Sequence, residues 1–220
     1  MADTTARRLP RGRHRLSREQ VETDQRLRIA AGMTEAMGDA GYVGTSVADI
    51  IGRAGVSRET FYRLFDDKQD CFLSTFDLVA AILVERVEQA PVSGTRLERV
   101  QSVVDAYLQL LADEPASARL FLVEVHAAGD EAIARRAAVQ ERLVEFVVEL
   151  LDAGDTDRVR AAARIVVAAV ASLVVPALVA DDSAALLAIG PMVVAHVAEL
   201  ERAGVWGPDA SGAAGSDPAG

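Results

Sequence analysis

Residues 45–70 read TSVADIIGRAGVSRETFYRLFDDKQD, and they constrain the fold more than any other stretch of the chain. Their first half carries four apolar residues at helical spacing: Val47, Ile50, Ile51 and Ala54. Gly55 follows directly, at the position where the end of a helix needs a residue that tolerates positive φ. The pattern predicts a short amphipathic helix that ends in a glycine turn.

A second short helix is predicted after this turn. Ser57 can cap its N-terminus, and Val56 and Phe61 have the spacing of a hydrophobic staple. The face predicted to be buried has three apolar residues: Phe61, Leu64 and Phe65. The outer face is polar and basic: Arg58, Glu59, Tyr62 and Arg63. Two short helices joined in this way, the second with an arginine-bearing outer face, are typical of a helix-turn-helix with its recognition helix.

The composition favours packed helices for the whole chain. Half of the 220 residues are hydrophobic, but only 5% are aromatic, and Ala, Val and Leu dominate. Strand patterns are almost absent, and no repeat of 20–50 residues is found. The chain is long enough for one large or two modest domains.

Cysteine usage and hydropathy predict a soluble, cytoplasmic protein. Cys71 is the only cysteine, which excludes an intrachain disulfide and is typical of a reducing compartment. The arginine-rich N-terminus has no apolar core, so no secretory signal is expected. The longest apolar run, residues 165–180, contains Pro176 and is shorter than the roughly 20 residues that span a bilayer.

Charge is unevenly distributed along the chain. Residues 1–70 hold 12 Lys and Arg against 11 Asp and Glu, whereas residues 71–220 hold 11 against 22. The net charge of −10 therefore arises away from the helix-turn-helix. Because the local charge of a surface governs its contact with nucleic acid, the acidic total does not exclude a DNA partner.

Four segments are predicted in order. Residues 1–17 form a basic arm, which is either a solvated flexible tail or a segment that lies along DNA phosphates or in a minor groove. Residues 18–66 form a three-helix domain around the motif. Residues 67–204 form a larger helical domain, and residues 205–220 form a disordered tail rich in Gly, Ala and Ser.

Caps and breakers predict the helix boundaries. Thr45 is the predicted N-cap of the second helix, and Asp67 is that of a long fourth helix that ends near Gln89. Further helices are expected in the larger domain at 97–112, 116–128, 130–153, 157–180 and 183–203. Pro176 and Pro191 lie within the last two and are expected to kink or break them.

Three segments and one lysine have fixed spacings: GYVGTSV at 41–47, DIIGRAGVS at 49–57, FYRLF at 61–65, and Lys68. In this order they resemble the pattern of the TetR family of bacterial transcriptional regulators, over about residues 25–72. Arg28 stands where that family usually has an aliphatic residue, Gly52 replaces its usual Ala, and Glu59 takes a position often held by Gly or Pro. The resemblance implies an all-α fold, with an N-terminal three-helix helix-turn-helix DNA-binding domain followed by a larger helical ligand-binding and dimerisation domain.

The resemblance also implies DNA contacts on the recognition helix. Arg58 and Arg63 can pair with guanine O6 and N7 or hold phosphates. Glu59 can accept a hydrogen bond from cytosine N4, or it is simply an acid favoured at the positive end of a helix. Tyr62 resembles a family residue that touches phosphate or a thymine methyl group.

Hydroxyl and ammonium groups around the motif are candidates for phosphate contacts. Thr45, Ser46 and Thr60 offer hydroxyls, and Lys68 offers an ammonium at the start of the fourth helix. Ser57, like Thr45, is assigned first to capping and additionally to DNA. Arg53 is interpreted as a solvated charge.

Several side chains in the larger domain are candidates for a ligand pocket. The aromatic ones are Phe72, Phe76, Tyr107, Phe121 and Phe146. Glu124 and His126 are polar candidates. Each of the seven can instead be an ordinary core or interface residue. No spacing of His and Cys predicts a metal site, and no cofactor is expected.

The sequence as a whole predicts a homodimeric repressor, released from a pseudo-palindromic double-stranded DNA operator by a small hydrophobic ligand. An activator or a ligand-independent DNA binder of the same fold is the alternative within this class. A helical carrier or enzyme whose helix-turn-helix is merely structural is the alternative outside it. No catalytic motif is present, so an enzyme is not expected.

Overall fold

The computed structural model describes residues 17–207, which fold into α-helices and turns without a strand. Ten α-helices, α1 to α10, lie in that range: Arg18–Gly44, Val47–Ala54, Arg58–Leu64, Lys68–Glu88, Arg96–Asp113, Pro115–Leu122, Asp130–Leu151, Asp157–Val179, Ser183–Leu187 and Ile189–Arg202. A 3-10 turn, Glu124–His126, lies between α6 and α7. The predicted all-α fold is confirmed, with the helix-turn-helix near its N-terminus. Most of the predicted arm, residues 1–16, and of the predicted tail, from residue 208, lie outside the described residues.

Side-chain caps fix the first three helices. Ser17 caps α1, Ser46 caps α2 and Ser57 caps α3, and each serine hydroxyl accepts from a backbone N–H three residues later. The prediction of Thr45 as the N-cap of α2 was wrong by one residue. Asp49, three residues after Ser46, accepts from the Ser46 N–H at 2.9 Å and completes a capping box.

Glycines set the path of the chain at the ends of this domain. Gly55 takes a left-handed conformation (φ 62°, ψ 38°) at the end of α2, as predicted. Gly41 (φ 68°, ψ 173°) kinks α1 before its last turn. Gly32 instead allows α2 to approach α1 closely. A Cβ at this position would lie 2.7 Å from the carbonyl oxygen of Ile50 and 2.9 Å from the nitrogen of Ala54. Helices α1 and α2 therefore cross in direct backbone contact.

Helix α4 joins the two halves of the molecule. Its predicted N-cap is confirmed, because Asp67 accepts from the Asp70 N–H at 2.9 Å. The helix packs on α1 near its beginning and on α5, α6 and α7 further along. Buried residues line it from Cys71 to Val87, so one apolar core continues from the first domain into the second.

Two predicted helices of the larger domain divide. The helix expected at 116–128 ends at Leu122 and passes into the 3-10 turn. The helix expected at 183–203 divides at Ala188. Pro191 lies in the first turn of α10, where backbone N–H groups have no intrahelical acceptor, so the N–H that proline lacks costs no hydrogen bond. Helix α8 runs unbroken through Pro176, which is near its C-terminus.

The predicted tail begins too early. Trp206 is buried (1% exposed), and its indole N–H donates to the carbonyl of Val197 at 3.2 Å. Nearby, the buried Arg96 at the start of α5 donates to the Leu151 carbonyl and pairs with Glu201 at 2.8 Å. Residues 205–207 thus belong to the folded domain, since an indole surrounded by apolar side chains is more stable than one in water.

Helices α8 and α9–α10 leave apolar surface uncovered in the single chain. Both Asp157–Val179 and Ser183–Arg202 have the length and composition of a membrane span, on those two criteria alone. Their exposed apolar residues include Ile165, Leu173, Val179 and Met192. Apolar area of this kind is a common mark of a surface that another molecule covers.

Candidate DNA-binding face and ligand cavity

The outer face of α3 presents the predicted recognition residues to solvent. Arg58, Glu59, Tyr62 and Arg63 are all exposed. The Arg58 guanidinium lies over the Tyr62 ring, 5.6 Å from its centroid, and Tyr62 packs edge-on against the buried Phe61. A cation, a ring and a carboxylate on one helical turn can make the base-edge and phosphate contacts expected of a recognition helix.

Arg63 is held from the neighbouring helix. Its guanidinium donates to the Gln25 side chain of α1 at 2.6 Å. This bond uses one of the five donors of the guanidinium, so the rest of the fork stays available to phosphate or guanine. The contact fixes the direction of a long side chain that would otherwise have to be ordered on binding.

Serine and threonine around the motif divide into exposed and buried groups. Ser46 and Ser57 are exposed while they cap, and Thr60 lies 3.0 Å from the Ser57 hydroxyl. Thr45 is buried, and its hydroxyl donates to the carbonyl of Gly41 at 2.7 Å. The Thr45 hydroxyl thus closes the kink of α1 in this structure, and its predicted phosphate contact would require that bond to be given up.

Lys68 points into the structure. Its ammonium donates to the carbonyls of Tyr42 and Thr45 at 2.8 and 2.9 Å and lies 4.2 Å from the Tyr42 ring centroid. Two of its three donors are thus used by backbone oxygens. The expected role at DNA phosphate is secondary to a structural one, in which Lys68 ties α4 to the end of α1.

Arg28, noted above as a departure from the family pattern, caps α2 from a distance. Its guanidinium donates to the carbonyls of Ala54 and Gly55 at 2.6 and 2.8 Å. A cation at these carbonyls satisfies groups that the helix leaves without partners and interacts favourably with the negative end of the helix dipole. No local pattern marks this contact, because 26 residues separate Arg28 from Ala54.

A cavity of about 100 Å³ lies between α4, α5, α6, α7, α8 and α10. Its lining is almost wholly apolar and includes Val103, Phe121, Leu143, Val167 and Trp206. Three other lining residues carry polar groups: Tyr107, Arg136 and Gln140. An apolar enclosure with a few polar groups is the usual character of a small-molecule site.

Burial shifts the pKa of two of these polar groups. Removal from water raises the pKa of Tyr107, an effect that the nearby Arg136 guanidinium partly offsets. The same cause lowers the pKa of Arg136. An arginine remains protonated in proteins even so, hence the cavity wall carries one poorly solvated positive charge.

The seven residues predicted for the pocket separate into two sets. Tyr107, Phe121 and Phe146 line the cavity. Phe72 and Phe76 are absent from its lining and are fully buried in the core beside α4. His126 is exposed, and Glu124 accepts from the Tyr42 N–H at 2.7 Å, so neither is directed at the cavity.

Sequence reasoning missed Arg136 and Gln140. One signal was available, because Arg136 falls on the apolar stripe of α7, between Ala132 and Val139, where an ordinary surface charge is not expected. No cluster of three or more metal-ligating side chains exists between residues 17 and 207.

An aromatic series links the cavity to the helix-turn-helix. Phe121, on the cavity wall, stacks on Phe76 with 5.1 Å between ring centroids, and Phe76 lies 6.2 Å from Phe72. Phe72 then meets Tyr42 edge-on at 5.3 Å. A shift of α6 at the cavity would thus be felt directly beside α2.

The fold and the exposed face of α3 define a helix-turn-helix DNA-binding protein with a separate helical domain. Residues 29–75 match the model of the bacterial regulatory proteins of the tetR family. The match covers the helix-turn-helix segment whose motifs resemble that family, and it agrees with the resemblance that the sequence predicted.

Solved structures share the overall fold at low sequence identity. The regulator FadR from Bacillus subtilis, in complex with stearoyl-CoA, is 20% identical, with a TM-score of 0.63 over 79% of this chain and 96% of that one. The fatty acid degradation regulator FadR from Bacillus halodurans is 21% identical, with a TM-score of 0.67 over 77% and 92%. A TetR-family regulator from Pectobacterium atrosepticum is 23% identical, with a TM-score of 0.62 over 86% and 97%. All three are transcriptional regulators rather than enzymes.

Proposed function

We propose that this protein is a homodimeric repressor that binds a pseudo-palindromic operator and leaves it when a small, largely apolar molecule occupies the cavity. The contacts on DNA are assigned to Arg58, Glu59, Tyr62 and Arg63, with Ser46, Ser57 and Thr60 at phosphates. A two-fold dimer places the two α3 helices about one turn of DNA apart, roughly 34–36 Å.

The second copy in this proposal covers the apolar faces of α8 and α10. Ile165 is 64% exposed and Met192 50% exposed in the single chain, and neither side chain gains from contact with water. Packing of these helices against their mates would form a four-helix interface. The proposal thus assigns the two apolar helices to a protein interface in the cytoplasm and not to a bilayer.

The observation that carries the proposal is the continuous contact from cavity to DNA-binding face. Phe121, Phe76, Phe72 and Tyr42 form the aromatic series, and the Glu124 carboxylate binds the Tyr42 N–H. A ligand that displaces α6 would therefore act on the end of α1, next to α2. A coupling free energy of about 1–3 kcal/mol between the two sites suffices for regulation.

The class of ligand follows from the lining of the cavity. The wall is apolar apart from three polar side chains, so a molecule with mainly hydrocarbon surface is favoured. The Bacillus subtilis FadR of similar fold takes a fatty acyl thioester, stearoyl-CoA. We extend from it only the general property of binding a hydrocarbon group.

A gel shift with the DNA flanking the protein's own gene tests the DNA-binding part. We expect a sequence-selective shift that weakens steeply with salt, because phosphate contacts release counterions. The Arg58→Ala, Arg63→Ala double variant should lose it, whereas Arg53→Ala, on α2 and paired with Asp39, should keep it. Selective binding by the double variant equal to that of the wild type would refute the assigned interface.

Transcription in vitro from the bound promoter separates the repressor from the activator alternative. Less transcript when the protein is added supports repression, and more transcript supports activation. Light scattering of the protein in solution tests the dimer. A monomer at micromolar concentration would contradict the assignment of α8 and α10.

A further inference from the structure

We infer that the cavity binds a small molecule with a short apolar body and an anionic head, and that Arg136 and Tyr107 hold that head. The inference rests on the proposed ligand-binding function and specifies the chemistry of the ligand. A monocarboxylate is the simplest member of the class.

Arg136 is unusual among the arginines of its helix. Arg135 pairs with Asp77 and Glu131, and Arg142 pairs with Glu88 at 2.9 Å. The Nε of Arg136 is buried and has no hydrogen-bond partner within residues 17–207, and no carboxylate contributes to its environment there. A buried donor of a charged group without a partner is costly, so a ligand that accepts from it gains strongly.

The lack of a carboxylate partner for Arg136 in the described structure is unexpected because this part of the chain is acidic. The part of the chain after residue 70 has twice as many acidic as basic residues, yet none of them neutralises Arg136 within the described range. Among residues 17–207, the titratable group that acts on the charge of Arg136 is the Tyr107 hydroxyl. That hydroxyl also lines the cavity and can donate to the same anion.

Gln140 completes the polar end of the cavity. It lies one turn after Arg136 on the same face of α7, and both are partly exposed, whereas Leu151, Val197 and Trp206 are buried. The polar groups thus lie toward solvent and the apolar wall lies deeper. An amphipathic molecule would enter with its hydrocarbon part inward and its anion between Arg136, Tyr107 and Gln140.

The volume limits the hydrocarbon part. An engineered cavity of about 150 Å³ holds benzene, so about 100 Å³ takes a body of roughly four or five carbons. A thioester would also lack the full negative charge at the carbonyl that Arg136 recognises. The favoured ligand therefore differs from a long-chain acyl-CoA both in length and in head group.

The chain carries its own probe for the test. Trp206 is the single tryptophan and lines the cavity, so its emission reports on occupation without DNA. Hexanoate, 1-hexanol and hexanoyl-CoA are each titrated into the full-length protein. We expect hexanoate to bind at least tenfold more tightly than the other two, and equal or tighter binding of the alcohol or the thioester would overturn the inference.

Variants then assign the head-group site. Arg136→Met should weaken hexanoate at least tenfold and change 1-hexanol by less than twofold, while Arg142→Met, the same change outside the cavity on the same helix, should alter neither. Tyr107→Phe removes only a hydroxyl and should weaken hexanoate severalfold, which provides a second readout if Arg136→Met does not fold. Unchanged hexanoate binding in both cavity variants would refute the site.

The gel shift distinguishes failure of this inference from failure of the proposed function. Hexanoate binding without an effect on operator affinity leaves the ligand class standing and refutes ligand-induced release. Loss of operator binding on addition of 1-hexanol, with no preference for hexanoate, leaves release standing and refutes the anionic head.

Discussion

The two domains of this protein are stabilised in different ways. The three N-terminal helices are tied by directed polar contacts, namely serine caps, the Arg28 contact with the end of α2, and the Lys68 contact with the end of α1. The C-terminal domain combines side-chain caps on α4, α5, α8 and α9 with extensive apolar packing, and α6, α7 and α10 start without a side-chain cap. It also contains a cavity and leaves two apolar faces exposed.

This difference matches two different requirements. The DNA-binding domain has to keep one shape, whereas the C-terminal domain has to change when a ligand binds. Directed hydrogen bonds permit one geometry, which suits a surface that has to match DNA. Apolar packing around a cavity permits several arrangements of similar free energy, because filling the cavity or covering a face changes the balance.

Replacement of Gly32 should disrupt the rigid domain most strongly. In Gly32→Ala the new Cβ would meet backbone atoms of Ile50 and Ala54 at under 3 Å, and backbone cannot move aside as a flexible side chain can. We expect a loss of about 3 kcal/mol in the free energy of unfolding, measured by urea denaturation. Gly52→Ala is the control, because a Cβ there meets nothing within 4 Å, and it should stabilise α2 by about 0.5–1 kcal/mol.

Removal of a recognition side chain should act on DNA and not on folding. Arg63→Ala is expected to lower operator affinity by about 1–3 kcal/mol if the side chain reads a base. Binding to operators mutated one base pair at a time would then show specificity lost at a single position. A uniform loss across all sequences would identify Arg63 as a phosphate contact instead.

The link between the domains should depend on Glu124. In Glu124→Ala the N–H of Tyr42 loses its acceptor, and an unsatisfied backbone donor costs about 1–3 kcal/mol. We also expect the ratio of operator affinities with and without hexanoate to approach one. An unchanged ratio would mean that coupling travels through the aromatic series alone, which Phe72→Leu would then test.

Filling the cavity with a larger side chain should make the C-terminal domain more stable and more rigid, as the N-terminal domain is. Ala171 lines the cavity, and in Ala171→Leu the added carbons would occupy it. We expect about 1 kcal/mol of added stability, or roughly 2–4 °C in Tm, together with loss of the Trp206 response to hexanoate. Operator binding should weaken, because the leucine side chain occupies the cavity as the ligand would, and unchanged operator binding would show that filling the apolar part of the cavity is not sufficient for release.

The smallest effect concerns Cys71 at the start of the shared core. Burial raises the pKa of this thiol to about 12, so at pH 8 only about one thiol in ten thousand is ionised. A colour reagent for thiols should therefore leave the native protein unmodified and react fully in guanidinium chloride. Rapid reaction of the native protein would indicate that α4 opens readily.

Local signals explain which features could be predicted from sequence. Gly55, Ser57 and Asp67 act within three or four residues, so their patterns identify the turn and two caps directly. Thr45 and Ser46 both satisfy the pattern of an N-cap, and only the kink at Gly41 decides between them. The resemblance to a known family covered the same short stretch.

Features that join distant segments could not be read in this way. Arg28 and Ala54 meet across a helix crossing, and Trp206 packs on α10 only because the chain turns back after Arg202. The cavity arises from six helices whose sequences each look like ordinary apolar stripes, so the sequence could not distinguish Phe76 from Phe121 as a candidate. Arg136 could be noticed in the sequence as a charge within an apolar stripe. The lack of a hydrogen-bond partner for its Nε among the described residues could not, because it depends on which side chains surround it in the fold.

The backbone crossing at Gly32 has a consequence for how such a regulator can be altered. Since α1 and α2 touch without intervening side chains, and Arg28 and Ser57 hold the adjoining turn and the start of α3, the three helices should move as one unit. A ligand would then change only the distance and angle between the two units of a dimer, while each reading surface keeps its shape. Exchange of the exposed residues of α3 should therefore redirect the protein to another DNA sequence with its response to ligand preserved.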